Sequence, residues 1–254
     1  MYENCKELGI RKAKTDVVCA NCDDNVPIIE PEIGFLDLID DSLIDPYHQN
    51  ILHDLTCKIK TEKRIDNILK KFSGVSFHNY NWKLKYGVVN SGQATAATNS
   101  SLKSGYAVTT IDKGRATDLS MARTLIHESI HGYLVYYFRN DNTSASKSYS
   151  DLVEGYLKLQ TTLRPDEAWN QANHDEMVRS WIGEIASSLQ SYGEMKGCEM
   201  KDEFYKSLAW GGLTSTNAFD ALETARKDQI NRIIISELKG GYDGEVAKGE
   251  KTCD

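Results

Sequence analysis

No stretch of this chain approaches the roughly 18 consecutive apolar residues that a membrane span needs. Nor does the opening MYENCKELGIRKAK hold an apolar run of signal-peptide length, because charges interrupt it throughout. The sequence therefore predicts no membrane span, and passage out of a cell would need a separate route or a removed upstream region. Excess positive charge is also missing. With 30 Lys and Arg against 37 Asp and Glu the formal charge is −7, which gives nucleic acid nothing to bind. Paired cysteine knuckles are lacking too. Of Cys5, Cys19, Cys22, Cys57, Cys198 and Cys253, only Cys19 and Cys22 (CANC) have knuckle spacing, and a zinc ribbon needs two such pairs. Cys57 and Cys253 could form a bridge pinning the C-terminus in an oxidising compartment; free thiols are the other reading. No internal repeat is present.

With 254 residues, 26% charged and 40% hydrophobic, the chain reads as one large globular domain or a domain with an arm. Residues 1–44 show no sustained period. DDNVPIIEPEIGFLDLIDDSLIDP mixes acids, prolines and short apolar pieces, so this part reads as an arm or linker and residues 45–254 as the folded domain. Helical spacing follows in YHQNILHDLTCKIK (Ile51, Leu52, Leu55) and KRIDNILKKF (Ile65, Ile68, Leu69, Phe72), predicting one or two helices that pack a core. From Val75 the pattern alternates, and VSFHNYNW, LKYGVV and YAVTTI predict a small sheet of three strands. Helices are expected thereafter over 118–138, 150–162, 174–192, 201–210, 216–224 and 226–238. The closing KGGYDGEVAKGEKTCD reads as an extended tail. A short run of strands feeding a helical remainder gives an α+β fold class.

One segment carries chemistry: ARTLIHESIHGYLVYYF, residues 122–138. On a helix, residues four apart lie one above the other, so His127 and His131 can direct two imidazoles at one point. Glu128 is offset by about 100°, where it can reach a metal-held water without being a ligand. This is the H-E-x-x-H arrangement of two zinc ligands and a general base. Thr117 or Asp118 can cap the helix, and Leu119, Ala122, Leu125, Ile126 and Ile130 supply a buried stripe. Flanks this apolar do not suit a solvated face.

Such a site needs a third protein ligand. Leu134 and Tyr137 stand where a metzincin has its glycine and third histidine, so that class is excluded. Two candidates remain downstream. Glu154 lies 23 residues past His131, a spacing that suits a glutamate on the next helix. His174 heads a stripe through Met177, Trp181, Ile185 and Leu189 and should point inward, whereas Glu176 should point away and cap the helix together with Asn173. His174 is the preferred ligand and Glu154 the alternative. His48, His53 and His78 read as satisfied core histidines.

Taken together, MARTLIHESIHGYLVYYF, NHDEMVRSWIGEIASSLQSYG, FYKSLAWGGLTSTNAFDAL and KGEKTC resemble a family of zinc metallopeptidase domains found mostly in Bacteroidetes proteins. That family is related in broad terms to SprT-like and polymorphic-toxin metallopeptidases. The likeness spans residues 45 to 253 and implies a zincin-like fold. In that family the histidine of an H-E-x-M-A-like element completes the zinc site and maps onto His174, although His174-Asp175-Glu176-Met177-Val178 departs from the pattern at Asp175 and Val178. AWGGL (209–213) reads as a helix end whose Gly211 and Gly212 permit close packing. The resemblance further implies a domain of a larger secreted or contact-delivered effector or toxin, with a protein or peptide substrate and a cognate inhibitor or immunity protein.

The expected activity is peptide hydrolysis with zinc on His127, His131 and His174 and with Glu128 as general base. YAVTTI is the candidate edge strand for substrate. A zinc-holding binding module without turnover and a purely structural zinc domain are the alternatives. The intact Glu128 opposes the first and the three-ligand set opposes the second.

Overall fold

The computed structural model describes residues 39–59, 81–89, 95–114, 116–140 and 142–250. The CANC pair, the KRIDNILKKF helix, His78 and the Cys57–Cys253 bridge fall outside what is described. Strand β1 (Ile39–Leu43) precedes helix α1 (Pro46–His53), whose last turn widens into a π-helical turn over Asp54–Lys58. Strands β2 (Trp82–Tyr86), β3 (Ala96–Thr98) and β4 (Ala107–Ile111) follow. Helices occupy the remainder: α2 (Asp118–Asn140), α3 (Asn142–Ser148), α4 (Ser150–Leu159), α5 (Pro165–Ser180), α6 (Ile182–Met195), α7 (Asp202–Leu208), α8 (Asn217–Asp220) and α9 (Thr224–Lys239). A hairpin of β5 (Gly241–Tyr242) and β6 (Glu245–Val246) closes the described chain. The class is α+β, as the sequence predicts, and no helix of the described residues is long and apolar enough to cross a membrane.

The main sheet has the order β1-β2-β4-β3. Strands β1, β2 and β4 run parallel, and β3 runs antiparallel to β4 with Thr98 opposite Thr109. Two expectations change here. Ile39–Leu43, assigned from sequence to the arm, is a strand of the sheet: Ile39 is buried and pairs with Trp82. Its acids (IDDSL) hid it, because only one face of this edge strand meets the core. The segment YAVTTI forms β4, which is not an edge. Paired on both sides and packed under α2, it is nearly continuously buried, which explains its apolar and β-branched run. Among the described strands the order ends beyond β4 with β3, three residues long.

Helix α2 is the spine of the molecule. From Ala116 to Val135 every residue is buried, because α1, α5, α6, α9 and the sheet surround it. Thr117 caps it, its Oγ1 accepting from Ser120 N at 3.2 Å. The tail expected to be extended in fact docks here. Glu237 accepts from Thr117 Oγ1 (2.5 Å), Lys248 N (2.6 Å) and Gly249 N (3.2 Å), while Asp118 accepts from Glu250 N at 2.8 Å. Residues 248–250 thus strap the start of α2.

The helix expected over 174–192 is two helices broken at Trp181, and the first begins at Pro165, nine residues earlier than expected. Proline suits the first helical position, and Glu167 accepts from Arg164 N at 3.2 Å. Asn173 and Glu176 therefore lie within the helix and cap nothing. Asn173 Nδ2 donates to Trp169 O, and buried Glu176 accepts from Ser180 Oγ and pairs with Arg179. The stripe through Met177, Trp181, Ile185 and Leu189 is buried as expected.

Candidate metal centre

His127 and His131 rise one turn apart on α2, and His174 faces them from α5. Their Nε2 atoms converge. His131 Nε2 lies 3.1 Å from that of His127 and 3.1 Å from that of His174, and the three donors lie within 4.8 Å of one another. All three rings are at least nine-tenths buried. Burial, then the neighbouring charges, holds His127 and His131 well below the ordinary imidazole pKa, and burial brings His174 down to about 4. The rings are therefore neutral at pH 7. A neutral imidazole nitrogen has one in-plane lone pair, so protons shared among three converging nitrogens cannot satisfy them all. A cation that accepts three lone pairs can, and the donor set fits a metal ion. The outer nitrogens of His127 and His174 are buried without a hydrogen-bond partner among the described residues.

Glu154, the alternative ligand, is exposed on α4 and is not part of this group. His48 is a satisfied core histidine, its Nδ1 sharing a 2.7 Å contact with Asp45 and another with Tyr86 Oη.

Glu128 is buried beside the histidines and points towards the sheet. Its Oε2 accepts from Thr98 Oγ1 at 2.7 Å. Desolvation pushes its carboxyl up to about 7, against the opposing pull of Thr98 and Arg123. The chain continues behind Thr98, whose Oγ1 lies 2.6 Å from that of Thr109, and Thr109 accepts from Trp82 Nε1 at 2.8 Å. An indole N–H only donates. Thr98 gives its single proton to the Glu128 carboxylate, so the proton between the two threonines comes from Thr109, whose oxygen receives the indole N–H. The chain has one direction, and it ends on the carboxylate.

The sequence reading missed Thr98, Thr109, Trp82 and Arg123. Arg123 could have been found, since it precedes His127 by the same four residues that separate the two motif histidines. The threonines could not, because they act through strand pairing between residues far apart in sequence. Gly212 does approach closely, as read from AWGGL: it has φ +83°, and a Cβ there would lie 2.9 Å from His127 Cε1. No protein-family model, characterised protein or solved structure matches this chain.

Proposed function

We propose that the chain is a zinc-dependent peptidase in which His127, His131 and His174 hold the metal and Glu128 is the general base. The observation that carries this reading is the pairing of three converging neutral imidazoles with a buried carboxyl poised near neutrality. His131 Nε2 lies 3.1 Å from the Nε2 atoms of both His127 and His174, so the three residues would hold one small metal ion between them. A purely structural zinc site is usually closed by four protein ligands, and among the described residues three converge here. Zinc bound there supplies an acidified water and an electrophilic partner for the scissile carbonyl. Glu128 takes the proton of the attacking water through Oε1 while Thr98 holds Oε2, and then gives it to the leaving amine nitrogen. Among the described strands β3 is paired on one side only, and its other side would receive substrate as an added strand ending at the residue that orients the base. The secreted or delivered effector role, with a cognate inhibitor, is supported by the family resemblance.

The test is hydrolysis of a peptide library by zinc-loaded wild type and by Glu128→Gln. Cleavage by wild type alone supports the reading. No cleavage by zinc-loaded wild type refutes it and favours a binding module that retains the metal, whereas equal cleavage by both removes Glu128 as the base.

A further inference from the structure

Arg123 stands one turn before His127 on α2, so Arg123, His127 and His131 share one face of the helix. Its side chain is 7% exposed. Neither a hydrogen bond nor an ion pair joins it to any described residue, and Nε is sealed from solvent without an acceptor. The group stays cationic, since burial lowers its pKa only to about 10. Glu128 is the acid whose charge it feels, yet no salt bridge forms between them and that carboxylate is held by Thr98. A buried guanidinium without a partner among the described residues is costly, and a site for an incoming anion accounts for it.

Its surroundings hold it in place. A Cβ on Gly211 would lie 2.6 Å from Arg123 Nε, just as one on Gly212 would strike the His127 ring. One loop therefore lies across the cation and the first metal ligand together. Four residues of helix separate their Cα atoms by about 6 Å along the axis, and helical side chains lean towards the N-terminus, away from His131. That offset is about two residues of extended peptide, at about 3.3–3.6 Å each. That offset suits a group one or two residues along the substrate.

We propose that Arg123 is a carboxylate subsite, so that the preferred substrate is a peptide carrying a free carboxylate one or two residues from the scissile bond. This rests on the peptidase reading. A guanidinium fork matches a carboxylate with two parallel hydrogen bonds, and a peptide offers such a group either at its C-terminus or on an Asp or Glu side chain.

Calorimetric binding to zinc-loaded Glu128→Gln, which keeps the site and does not consume ligand, separates the two sources. The probes are a short peptide as free acid and as C-terminal amide, and amide-capped peptides with Glu or Gln at each of the two positions on either side of the cleaved bond. One acid form should bind about 10- to 100-fold more tightly than its neutral counterpart. Adding Arg123→Gln should bring that ratio to near one, with Arg123→Lys in between. Equal binding of every acid and neutral pair to the Arg123 protein overturns the subsite even if no Arg123 variant folds, and so does a ratio that persists in Arg123→Gln. Cleavage by wild type is scored separately. Turnover without acid preference removes the subsite and spares the peptidase, whereas acid preference without turnover does the reverse.

Discussion

Thr98 on the three-residue strand β3 donates to Oε2 of Glu128 on α2 at 2.7 Å, joining the edge of the sheet to the proposed general base. The joint fixes one carboxylate oxygen and leaves the other for water. Removing it tests whether orientation of the base matters. Thr98→Val keeps the shape of the side chain and deletes the donor, so zinc content should be unchanged while kcat falls about 10- to 100-fold. An unchanged kcat would show that Glu128 is held adequately by its own packing.

The proposed metal ligands are tested by substitution and chelator competition. His174→Ala should weaken zinc binding by orders of magnitude, comparably with His131→Ala, because either change removes one of three converging nitrogens. Glu154→Ala should retain zinc with wild-type affinity, its side chain being exposed on α4. Normal affinity in His174→Ala would remove that residue from the site.

Much of this centre was legible in the sequence, and the reasons are local. The spacing of His127, Glu128 and His131 is a property of one helix, and the stripe from His174 through Met177 and Trp181 is a property of its neighbours. What escaped depends on contacts between distant segments. Strand β1 carries two acids and reads as linker, because only its pairing with Trp82 and Lys83 reveals it. The start of α5 was missed because PDEAWNQA is polar, although Pro165 and the acids beside it were a start signal. The C-terminal segment looks extended by composition and docks only because Glu237 and Asp118 supply its acceptors.

That docking makes its own prediction. Glu237→Ala leaves the backbone N–H groups of Lys248 and Gly249 and the Thr117 hydroxyl without their acceptor, at the very start of the motif helix. The loss should be about 3 kcal/mol, read as a lowered denaturation midpoint. Protease cleavage after Lys248 should become fast in the same variant. If both stay at wild-type values, the strap contributes nothing to the fold.

Gly212 is predicted to control the metal through His127. Alanine there faces a left-handed backbone at φ +83°, which costs about 1–2 kcal/mol, and its Cβ would press on the imidazole at 2.9 Å from Cε1. The ring must yield. Gly212→Ala should therefore lower both stability and zinc affinity. A variant with weakened folding but wild-type affinity would show that the loop gives way and the ligand does not.

The pH dependence of the metal-free protein separates the histidines from the base, because their shifts have opposite signs. The histidine pKa values lie below the unfolded value of about 6.5, with His174 near 4, so the unfolded chain binds more protons. Their contribution is complete above pH about 6.5 and is lost as pH falls towards 4 and below, at up to about 1.4 kcal/mol per pH unit for each histidine. Glu128 does the reverse. Its folded pKa of about 7 lies above its ordinary 4.5, so its contribution is complete below pH 4.5 and is lost as pH rises to 7. Urea denaturation of chelator-treated protein should show stability falling below pH 6.5. Glu128→Gln should steepen that fall and, relative to wild type, gain stability as pH rises from 4.5 to 7. Because neutral glutamine carries no desolvated charge, its advantage should be constant above pH about 7. A Glu128→Gln curve parallel to wild type over the whole range would mean that Glu128 titrates normally in the fold, and the poised base would lose its physical basis.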